Sequence, residues 1–539
     1  MRSVFTLLTL LISLSANAQS FSRFDLNPGT KDSGPALFTV AGDKMYFVTS
    51  APVDSTSILW HRYLWVTDGH DTGTHKIQDV VHAIPPGDIY AFNPRTLQVL
   101  NNKLFFVWQD SQQHMQLWTT DGTDTGSHHV ITLRQIMPIS TYKSSYIFLG
   151  RDSDLIQSVW ITDGTSAGTR IIKRGNKYWN ANPTSACNYK DKIFWLMNDS
   201  TYIAQMWYTD GTDTGTHIIY KGNLNTLSTA NQYINVIDSQ ILYSASDTTH
   251  GMELWTCDGT DSGTHMLVEI NPGPKNQGAF TYSTLTFNGK LYFGGMYGNA
   301  TGLYCSDGTA TGTRIIKPMN SVFYGVVPAI FNNKFFFLAE DSRRWACMYV
   351  SDGTTAGTKI FTDSAGKEIR GTPIAYNNKL YIQSYFDTAA VGLYQSDGSS
   401  ANTYVIHAAF PRPVNYSTFG YYYTIYKNVL WLEGQYDSTG LELWHLGDID
   451  TPTTIRSLEY QNIACSIYPN PNHGNFTINT DNEAFFGVAS VYDLTGRLVM
   501  AKTVKGAVTV LQLPAYAKGI YLVKLQSGDA VSTKKILVQ

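Results

Sequence analysis

A short motif recurs nine times along most of this 539-residue chain, and this repeat limits the fold more than any other feature. The clearest copies are residues 253–264, ELWTCDGTDSGT, and residues 116–127, QLWTTDGTDTGS. Consecutive motif aspartates lie 42 to 53 residues apart in the sequence. They are Asp68, Asp121, Asp163, Asp210, Asp258, Asp307, Asp352 and Asp397, with a degenerate ninth copy ending at Asp448. A repeat of this length is typical of propellers and solenoids.

Each copy of the motif predicts a strand followed by a tight turn. An aromatic residue stands three or four positions before every aspartate: Trp65, Trp118, Trp160, Trp207, Trp255, Tyr304, Tyr349, Tyr394 and Trp444. Alternation places this ring on the buried face of a strand. The Asp-Gly pair then predicts a turn in which the carboxylate accepts backbone N–H bonds and the glycine takes positive φ.

The motif contains a second glycine, for which we also expect a left-handed conformation. It occurs as Gly73, Gly126, Gly168, Gly215, Gly263, Gly312 and Gly357. In the eighth copy Asn402 replaces it, and asparagine is the residue that tolerates this conformation next best.

A second two-residue turn stands upstream in every unit. It occurs at residues 42–43, 101–102, 143–144, 190–191, 238–239, 288–289, 332–333, 377–378 and 427–428, with sequences such as Asn-Gly and Asn-Asn. Such pairs between apolar segments predict hairpins. Each unit of about 47 residues therefore supplies four antiparallel strands, which predicts an all-β fold, a large β-propeller of about eight to nine four-stranded blades. A stacked β-solenoid is the structural alternative.

These residues resemble the ELWxxDGT repeat of bacterial secreted propeller-like proteins over roughly residues 34–450. The resemblance implies a scaffold and carries no catalytic residues onto this chain.

The C-terminal residues differ in composition and lack the repeat. Short alternating segments after residue 463 predict a small Ig-like β-sandwich. This segment resembles the type A C-terminal sorting domain of the type IX secretion system. The matching residues are Tyr468, Pro469, Asn470, Pro471, Gly496, Gly519, Tyr521, Lys534 and Lys535. The resemblance implies handling by the type IX machinery at the outer membrane, removal of the domain, and release or surface attachment. An accessory Ig-like binding module is the alternative.

The N-terminus predicts export. Arg2, the apolar run at residues 7–14 and Ala16-Asn17-Ala18 match a signal peptide, and the run is too short for a membrane anchor. We therefore expect a signal peptide at 1–18, a repeat propeller at 19–457 and a sorting domain at 463–539. The expected location is secreted or on the outer cell surface, reached through the periplasm, with no transmembrane segment.

The composition argues against several classes of function. The net charge of −3 gives no electrostatic reason to expect a nucleic-acid partner. The five cysteines show no metal-binding or disulfide-framework spacing. No HExxH or P-loop motif occurs, and the GxSxG string at residues 164–168 belongs to the Asp-Gly turn of the third motif copy. We therefore predict no catalytic, cofactor-binding or metal-binding residues, and no cofactor.

Three sets of polar or aromatic residues remain as weaker candidates for a site. His75, His128, His217 and His265 share one register, which edge-strand charge explains better than metal binding. Aspartates in the central loops predict Asx turns, with cation binding as the alternative: Asp54, Asp110, Asp152, Asp199, Asp247, Asp341, Asp387 and Asp437. Rings between units could stack on sugars or pack internally: Tyr178, Trp179, Phe280, Tyr282, Phe323, Tyr324, Phe410 and Tyr416.

The function that these features favour is a non-enzymatic recognition scaffold at the cell surface or in the medium, with an unknown extracellular glycan or protein as ligand. The alternative is a carbohydrate-active enzyme, a glycoside hydrolase or lyase, whose paired carboxylates would lie at the propeller centre.

Overall fold

The computed structural model divides into two compact units, residues 1–449 and 450–539. It describes residues 20–27, 32–52, 60–84, 97–110, 112, 114–175, 183, 185–198, 204–220, 234–247, 249–273, 278–298, 300–323, 327–340, 346–384, 392–408, 423–436, 440–447, 463, 465–480, 482–483, 485–493, 498–513, 518–527 and 530–539. The predicted signal peptide lies outside these ranges. Within them the chain is built of strands and turns, with short 3-10 helices at Asp71–Gly73 and Ser400–Asn402, and no helix there is long and apolar enough to cross a membrane.

The strands of the first unit follow the repeat. β1 (Phe21–Phe24) precedes the repeated groups. The first three groups are β2 (Ala36–Ala41), β3 (Lys44–Pro52), β4 (Trp60–Thr67) and β5 (His75–Ile84), then β6 (Gln98–Leu100), β7 (Lys103–Gln109), β8 (Met115–Thr120) and β9 (His128–Leu133), then β10 (Gln135–Tyr142), β11 (Ser145–Arg151), β12 (Gln157–Thr162) and β13 (Arg170–Lys173). The next two are β14 (Ala186–Tyr189), β15 (Lys192–Asn198), β16 (Ala204–Thr209) and β17 (His217–Tyr220), and β18 (Ile234–Ile237), β19 (Gln240–Ala245), β20 (Glu253–Cys257) and β21 (His265–Val268).

The same pattern continues to the end of the unit. These strands are β22 (Ala279–Phe287), β23 (Lys290–Tyr297), β24 (Ala300–Ser306) and β25 (Arg314–Pro318), then β26 (Ser321–Val322), β27 (Ala329–Phe331), β28 (Lys334–Glu340), β29 (Ala346–Ser351) and β30 (Lys359–Ile360), then β31 (Gly371–Tyr376), β32 (Lys379–Ser384), β33 (Gly392–Ser396) and β34 (Tyr404–Ala408), and last β35 (Tyr423–Tyr426), β36 (Val429–Gly434) and β37 (Glu442–Leu446).

Antiparallel sheets of four strands in chain order are the rule in this unit, which confirms the all-β prediction. Three sheets depart from it, of which the last, completed by β1, is described below. The first two groups join into one eight-stranded sheet through a parallel contact between Val81 and Gln109, and the seventh group contains the additional short strand β26. The first and third hairpins of each group turn at the same end of the sheet, because the strands alternate in direction.

The upstream hairpin turns have the backbone geometry that their sequences predict. Both residues have positive φ at Asn101-Asn102, Asn332-Asn333 and Asn377-Asn378, with values between 46° and 61°. This is the conformation of a two-residue type I′ turn, whose twist suits the flanking strands. Lysine takes the first position at Lys143, Lys190 and Lys427 with φ of 51°, 46° and 50°.

The last group of the unit is completed by the first strand of the chain. Strand β1 pairs antiparallel with β37, with Phe21 opposite Leu446 and Phe24 opposite Leu443. In the sheet order β1-β37-β36-β35, β1 occupies the place beside the motif strand that the last strand of the repeat takes in the other groups. The N- and C-terminal ends of the unit are thereby joined in one sheet.

Apolar side chains fill the spaces between neighbouring groups. Phe105 of β7 packs with Tyr146 and Phe148 of β11, and Trp195 of β15 packs with Leu149 of β11. The ninth group packs against the first in the same manner, because Trp431 of β36 shares a core with Met45 and Phe47 of β3. The hydroxyl of Tyr426 also donates to the Asp43 carbonyl oxygen.

The motif aromatics differ in burial. Trp207 and Trp255 are 3% exposed, and the tyrosines of this register are also buried. Trp118 and Trp160, which the sequence predicts to be largely buried, are only half-buried. The partner on the last strand of the repeat does not account for the difference, because half-buried Trp160 and buried Trp207 both face an isoleucine, Ile171 and Ile218.

The second unit contains β38 (Ser466–Tyr468), β39 (Asn475–Asn479), β40 (Phe486–Asp493), β41 (Leu498–Lys505), β42 (Val508–Gln512), β43 (Gly519–Ser527) and β44 (Ala530–Val538). They form two antiparallel sheets, β38-β39-β42 and β41-β40-β43-β44. One core joins the sheets, with Phe476 and Leu511 from the first and Val491, Tyr521 and Ile536 from the second.

Candidate functional site

The motif aspartate organises the turn in which it lies. In the second repeat, Asp121 Oδ1 accepts the Thr123 backbone N–H at 3.0 Å and the Thr123 hydroxyl at 2.7 Å. Thr123 Oγ1 in turn accepts the Gly126 N–H at 2.9 Å. The carboxylate is therefore committed to donors of its own turn.

A second set of hydroxyls closes the same turn from the buried side. Thr120, the residue before the aspartate, accepts the Gly122 N–H at 2.9 Å and contacts Ser127 Oγ at 2.8 Å. Ser127 Oγ donates to the Thr123 carbonyl oxygen at 2.8 Å. Sequence reasoning missed this pair, although its signal is visible: a Thr, Ser or Cys stands before all eight aspartates.

The network recurs at the other copies. The carboxylate of Asp163, Asp210, Asp258, Asp307 or Asp352 accepts the N–H and hydroxyl of the threonine two residues on. Asp68 accepts only the His70 N–H, because histidine replaces that threonine. The hydroxyl of Ser399 and the amide of Asn402 lower the pKa of Asp397 to about 2.

The prediction for the second glycine is wrong. The first glycines have positive φ, 87° at Gly122 and 93° at Gly259, whereas Gly126 and Gly263 do not lie in the positive-φ region. The physical reason for a glycine is the neighbouring carboxylate: a Cβ on Gly126 would stand 2.0 Å from Asp121 Oδ1. At Asn402 the side chain instead donates to Asp397 Oδ2 at 2.6 Å.

We expect Gly126→Ala to destabilise the protein by about 1–3 kcal/mol, because the Asp121 carboxylate must leave its donors. In an Asp121→Ala background the same substitution should cost little, since the obstruction is gone. Denaturant unfolding of the two single variants and the double variant measures this coupling. Equal costs in both backgrounds would contradict the steric explanation.

The motif turn is also the point at which neighbouring repeats are joined. Lys44 Nζ donates to the Asp121 carbonyl oxygen at 2.7 Å, and Lys190 Nζ to that of Asp258 at 2.9 Å. The same contact joins the ninth repeat to the first, where Lys427 Nζ donates to the Asp68 carbonyl oxygen at 2.7 Å.

The glutamate that begins the motif in the fifth and ninth repeats is fully buried. Glu253 accepts the Ile270 N–H at 2.6 Å and the Asn271 N–H at 3.0 Å, in the connection to the next repeat. In the ninth repeat Glu442 Oε2 accepts the Leu26 N–H at 3.0 Å and the Ser33 hydroxyl at 2.7 Å. No donor among the described residues reaches Glu442 Oε1, and burial raises the pKa of this carboxyl to about 7.

The central-loop aspartates that the structure describes form Asx turns. Asp110 Oδ1 accepts the Gln112 and His114 N–H groups, and Asp152 Oδ1 accepts those of Asp154 and Ile156, all at 2.9–3.0 Å. Asp247 accepts the His250 N–H and also contacts its ring at 2.9 Å. The other members lie outside the described residues: Asp54, Asp199, Asp341, Asp387 and Asp437.

The histidine register lies on exposed outer strands. His75, His128, His217 and His265 each begin the last strand of a repeat. Within the described ranges, no three His, Cys, Asp or Glu side chains lie close enough together to hold a metal ion. Of the rings between repeats, Phe323 is buried in the core beside Phe337, and the side chains of the others lie outside the described residues.

The opening of the tail, residues 468–474, holds the last strand of the chain. Asn470 Nδ2 donates to the Lys535 carbonyl oxygen at 2.9 Å, and Asn470 Oδ1 accepts the Leu537 N–H at 2.8 Å. Asn472 continues the contact through backbone bonds to Leu537 and Gln539. The peptide bonds before Pro469 and Pro471 are both cis.

The remaining predicted tail residues lie in different parts of the second unit. Tyr521 is buried in the core between the sheets, whereas Tyr468, Lys534 and Lys535 are exposed. Gly519 begins β43. Gly496 lies outside the described residues.

Solved structures that resemble this chain include a β-propeller domain and two peptidases. The β-propeller domain of the Trilobed protease from Pyrococcus furiosus is 12% identical with a TM-score of 0.33, and the match covers 59% of this chain and 93% of that one. An acylaminoacyl peptidase from Pyrococcus horikoshii is 13% identical with a TM-score of 0.35, over 67% of this chain and 60% of its own. A prolyl endopeptidase is 7% identical with a TM-score of 0.37, over 67% and 56%.

No curated protein matches the chain. One family does match, and it covers the tail: residues 466–539 fit the family described as secretion system C-terminal sorting domain. The chain therefore ends in a sorting domain of the type IX secretion system.

Proposed function

We propose that the first unit is a closed nine-bladed propeller of the ELWxxDGT-repeat type that acts as a non-enzymatic recognition scaffold outside the cell. The observation that carries this proposal is the use of the motif side chains. The aspartates, threonines and buried glutamates are bound to backbone groups of their own or the neighbouring repeat. Polar side chains that are hydrogen-bonded in this way stabilise the fold of the repeats and are not available to a ligand.

Closure as a ring is supported by the junction between the ninth and first repeats. It uses the same three devices as the internal junctions: a shared core, a lysine on the motif carbonyl and a tyrosine hydroxyl on a turn carbonyl. A stacked solenoid has no reason to join its first and last units.

Recognition would then fall to the end of the sheets opposite the motif turns. The connections between repeats meet at that end and vary in length, from the single residue Arg134 between β9 and β10 to residues 409–422 between β34 and β35. Loops of unequal length on a rigid frame are the usual place for binding. The ligand class that we propose is an extracellular glycan or protein.

The export route completes the proposal. Residues 1–18 would direct the chain to the periplasm, and residues 463–539, an Ig-like sandwich, would be read by the type IX machinery at the outer membrane. The mature propeller would span 19–457 and be released or attached to the surface.

Binding is tested with the purified mature protein on glycan and host-matrix arrays, run beside a panel of glycoside hydrolase and lyase substrates. We expect saturable binding without turnover. Replacing residues 409–422 by a short Gly-Ser linker should weaken it, whereas Asp213→Ala at the motif end should not. Turnover of a polysaccharide would instead show that the protein is a carbohydrate-active enzyme. Loss of binding in Asp213→Ala alone would place the binding site at the end of the sheets that carries the motif turns.

Export is tested by deleting residues 463–539. The truncated chain should accumulate in the periplasm as a folded, protease-resistant protein, because the deletion leaves every core cluster of the first unit intact. Normal amounts of the truncated protein at the surface would contradict the sorting role and favour a binding module.

A further inference from the structure

The outer face of the tail's four-stranded sheet is apolar, exposed and basic. Leu522 and Ile520 on β43 are 39% and 36% exposed, and Val488 on β40 and Leu537 on β44 are 44% and 37% exposed. Soluble domains rarely gather such side chains on one face without a partner.

The strand register places these side chains next to one another. Leu522 lies opposite Tyr492 on one side and Lys535 on the other, and Ile520 lies opposite Leu537. Lys524, two residues along β43, lies between Ser490 and Thr533. Leu522 therefore stands at the centre of a small apolar patch with a lysine on two sides.

A shallow groove crosses this patch between β40 and β43. Its volume is about 330 Å³, and Val488, Ser490, Tyr492, Lys524 and Gln526 line it. Among the described residues of this face no side chain is acidic. The face thus offers apolar area with uncompensated positive charge.

We infer that this face is the surface on which a protein component of the export machinery docks, through a segment that carries apolar and acidic side chains. The inference rests on the proposed sorting role of the tail. Charge complementarity selects the partner, because Lys524 and Lys535 attract carboxylates and would repel the same face of a second copy. A membrane is a poorer occupant, since these side chains lie in the middle of a flat sheet and cannot insert into a bilayer as an amphipathic helix does.

The other outer face of the tail supplies a matched control. On β42, Val508 and Val510 are 56% and 62% exposed, more than Leu522, and the paired strand β39 places Asn479 and Thr477 opposite them. A docking site chosen by apolar exposure alone would include this face. A site that needs a lysine on two sides favours the Leu522 face, because the contact described at Val510 is one ammonium group, Lys502 Nζ, 3.4 Å from its carbonyl oxygen.

The test expresses the full chain in a host with the type IX machinery and measures its partition between periplasm and cell exterior. Leu522→Glu and Lys524→Glu should each reduce export about tenfold, as loss of a central contact does, whereas Val510→Glu should change it less than about twofold. Lys524→Arg should export normally. Thermal unfolding of each purified variant shows that the tail remains folded.

Three outcomes would overturn the inference. Equal losses of export in Val510→Glu and Leu522→Glu would show that the machinery does not distinguish the Leu522 face from the Val510 face. Normal export of both Leu522→Glu and Lys524→Glu, with wild-type chain exported, would leave the sorting role intact and remove this face from it. Failure of export to depend on the tail at all would defeat both. Purified chain should also bind host outer-membrane vesicles in a manner that prior protease treatment of the vesicles abolishes, and binding that survives this treatment would identify lipid as the partner.

Discussion

Replacing Glu442 by glutamine is expected to remove about 3–4 kcal/mol of pH dependence from the stability of the first unit between pH 4 and pH 7. The folded protein keeps a proton on this carboxyl up to about pH 7, because the side chain is fully buried and Oε1 lacks a donor among the described residues. The unfolded chain releases the same proton near the ordinary glutamate pKa of about 4.3.

The sign follows from this difference in bound protons. Between these two pH values the folded state holds one more proton than the unfolded state, so stability falls as the pH rises. The contribution of Glu442 is complete below pH 4 and is lost above pH 7. Glutamine does not titrate, so the difference in unfolding free energy between wild type and Glu442→Gln should follow this curve.

Ionisation of Glu442 should loosen the structure around this side chain before the whole unit unfolds. Glu442 holds Leu26 and Ser33, which follow β1, so ionisation loosens the segment that joins the two ends of the unit. Hydrogen exchange at the amides of Leu26 and Gly34 should accelerate between pH 6 and pH 8 beyond the intrinsic effect of base. If exchange at these amides changed only with the intrinsic rate, and equally in Glu442→Gln, this role of Glu442 would be contradicted.

Truncation of a buried motif tryptophan is expected to have the largest effect of any single substitution. Trp207→Ala and Trp255→Ala should each cost about 3–5 kcal/mol, because each ring fills a core between two repeats and leaves a cavity. Trp118→Ala at the equivalent half-buried position should cost less. Chemical denaturation followed by fluorescence measures all three.

The comparison of these three variants separates packing from the motif as such. If the motif ring stabilised the protein through the adjacent turn, the three substitutions would cost equal free energy of unfolding, since the turns share one hydrogen-bond network. A larger loss for Trp118→Ala than for Trp255→Ala would contradict the assignment of stability to the inter-repeat cores.

Local features of this fold could be predicted from the sequence. The pair Asn101-Asn102 has few conformations open to it between two apolar segments, and both residues take the positive φ of a hairpin turn. The number of strands in each repeat could be predicted from the period of the motif for the same reason, because within most repeats each strand pairs with the next one along the chain. Such contacts need no knowledge of distant residues.

Features that depend on distant residues could not be predicted in this way. Strand β1 carries no motif, and its pairing with β37 joins residues more than 400 positions apart. The role of Glu442 depends on the same contact. The reason for the second motif glycine also lies outside its own backbone conformation. Gly126 is required because the carboxylate of Asp121 lies beside it and leaves no room for a Cβ.

The central claim is that the last residues of this chain are sufficient to move a folded protein across the outer membrane. Fusing residues 463–539 to an unrelated periplasmic reporter with a signal peptide, in a host with the type IX machinery, measures this directly by the fraction of reporter activity outside the cell. We predict that the fused reporter leaves the periplasm and that the same reporter without the tail stays inside. Retention of the fused, folded reporter in the periplasm would contradict the account.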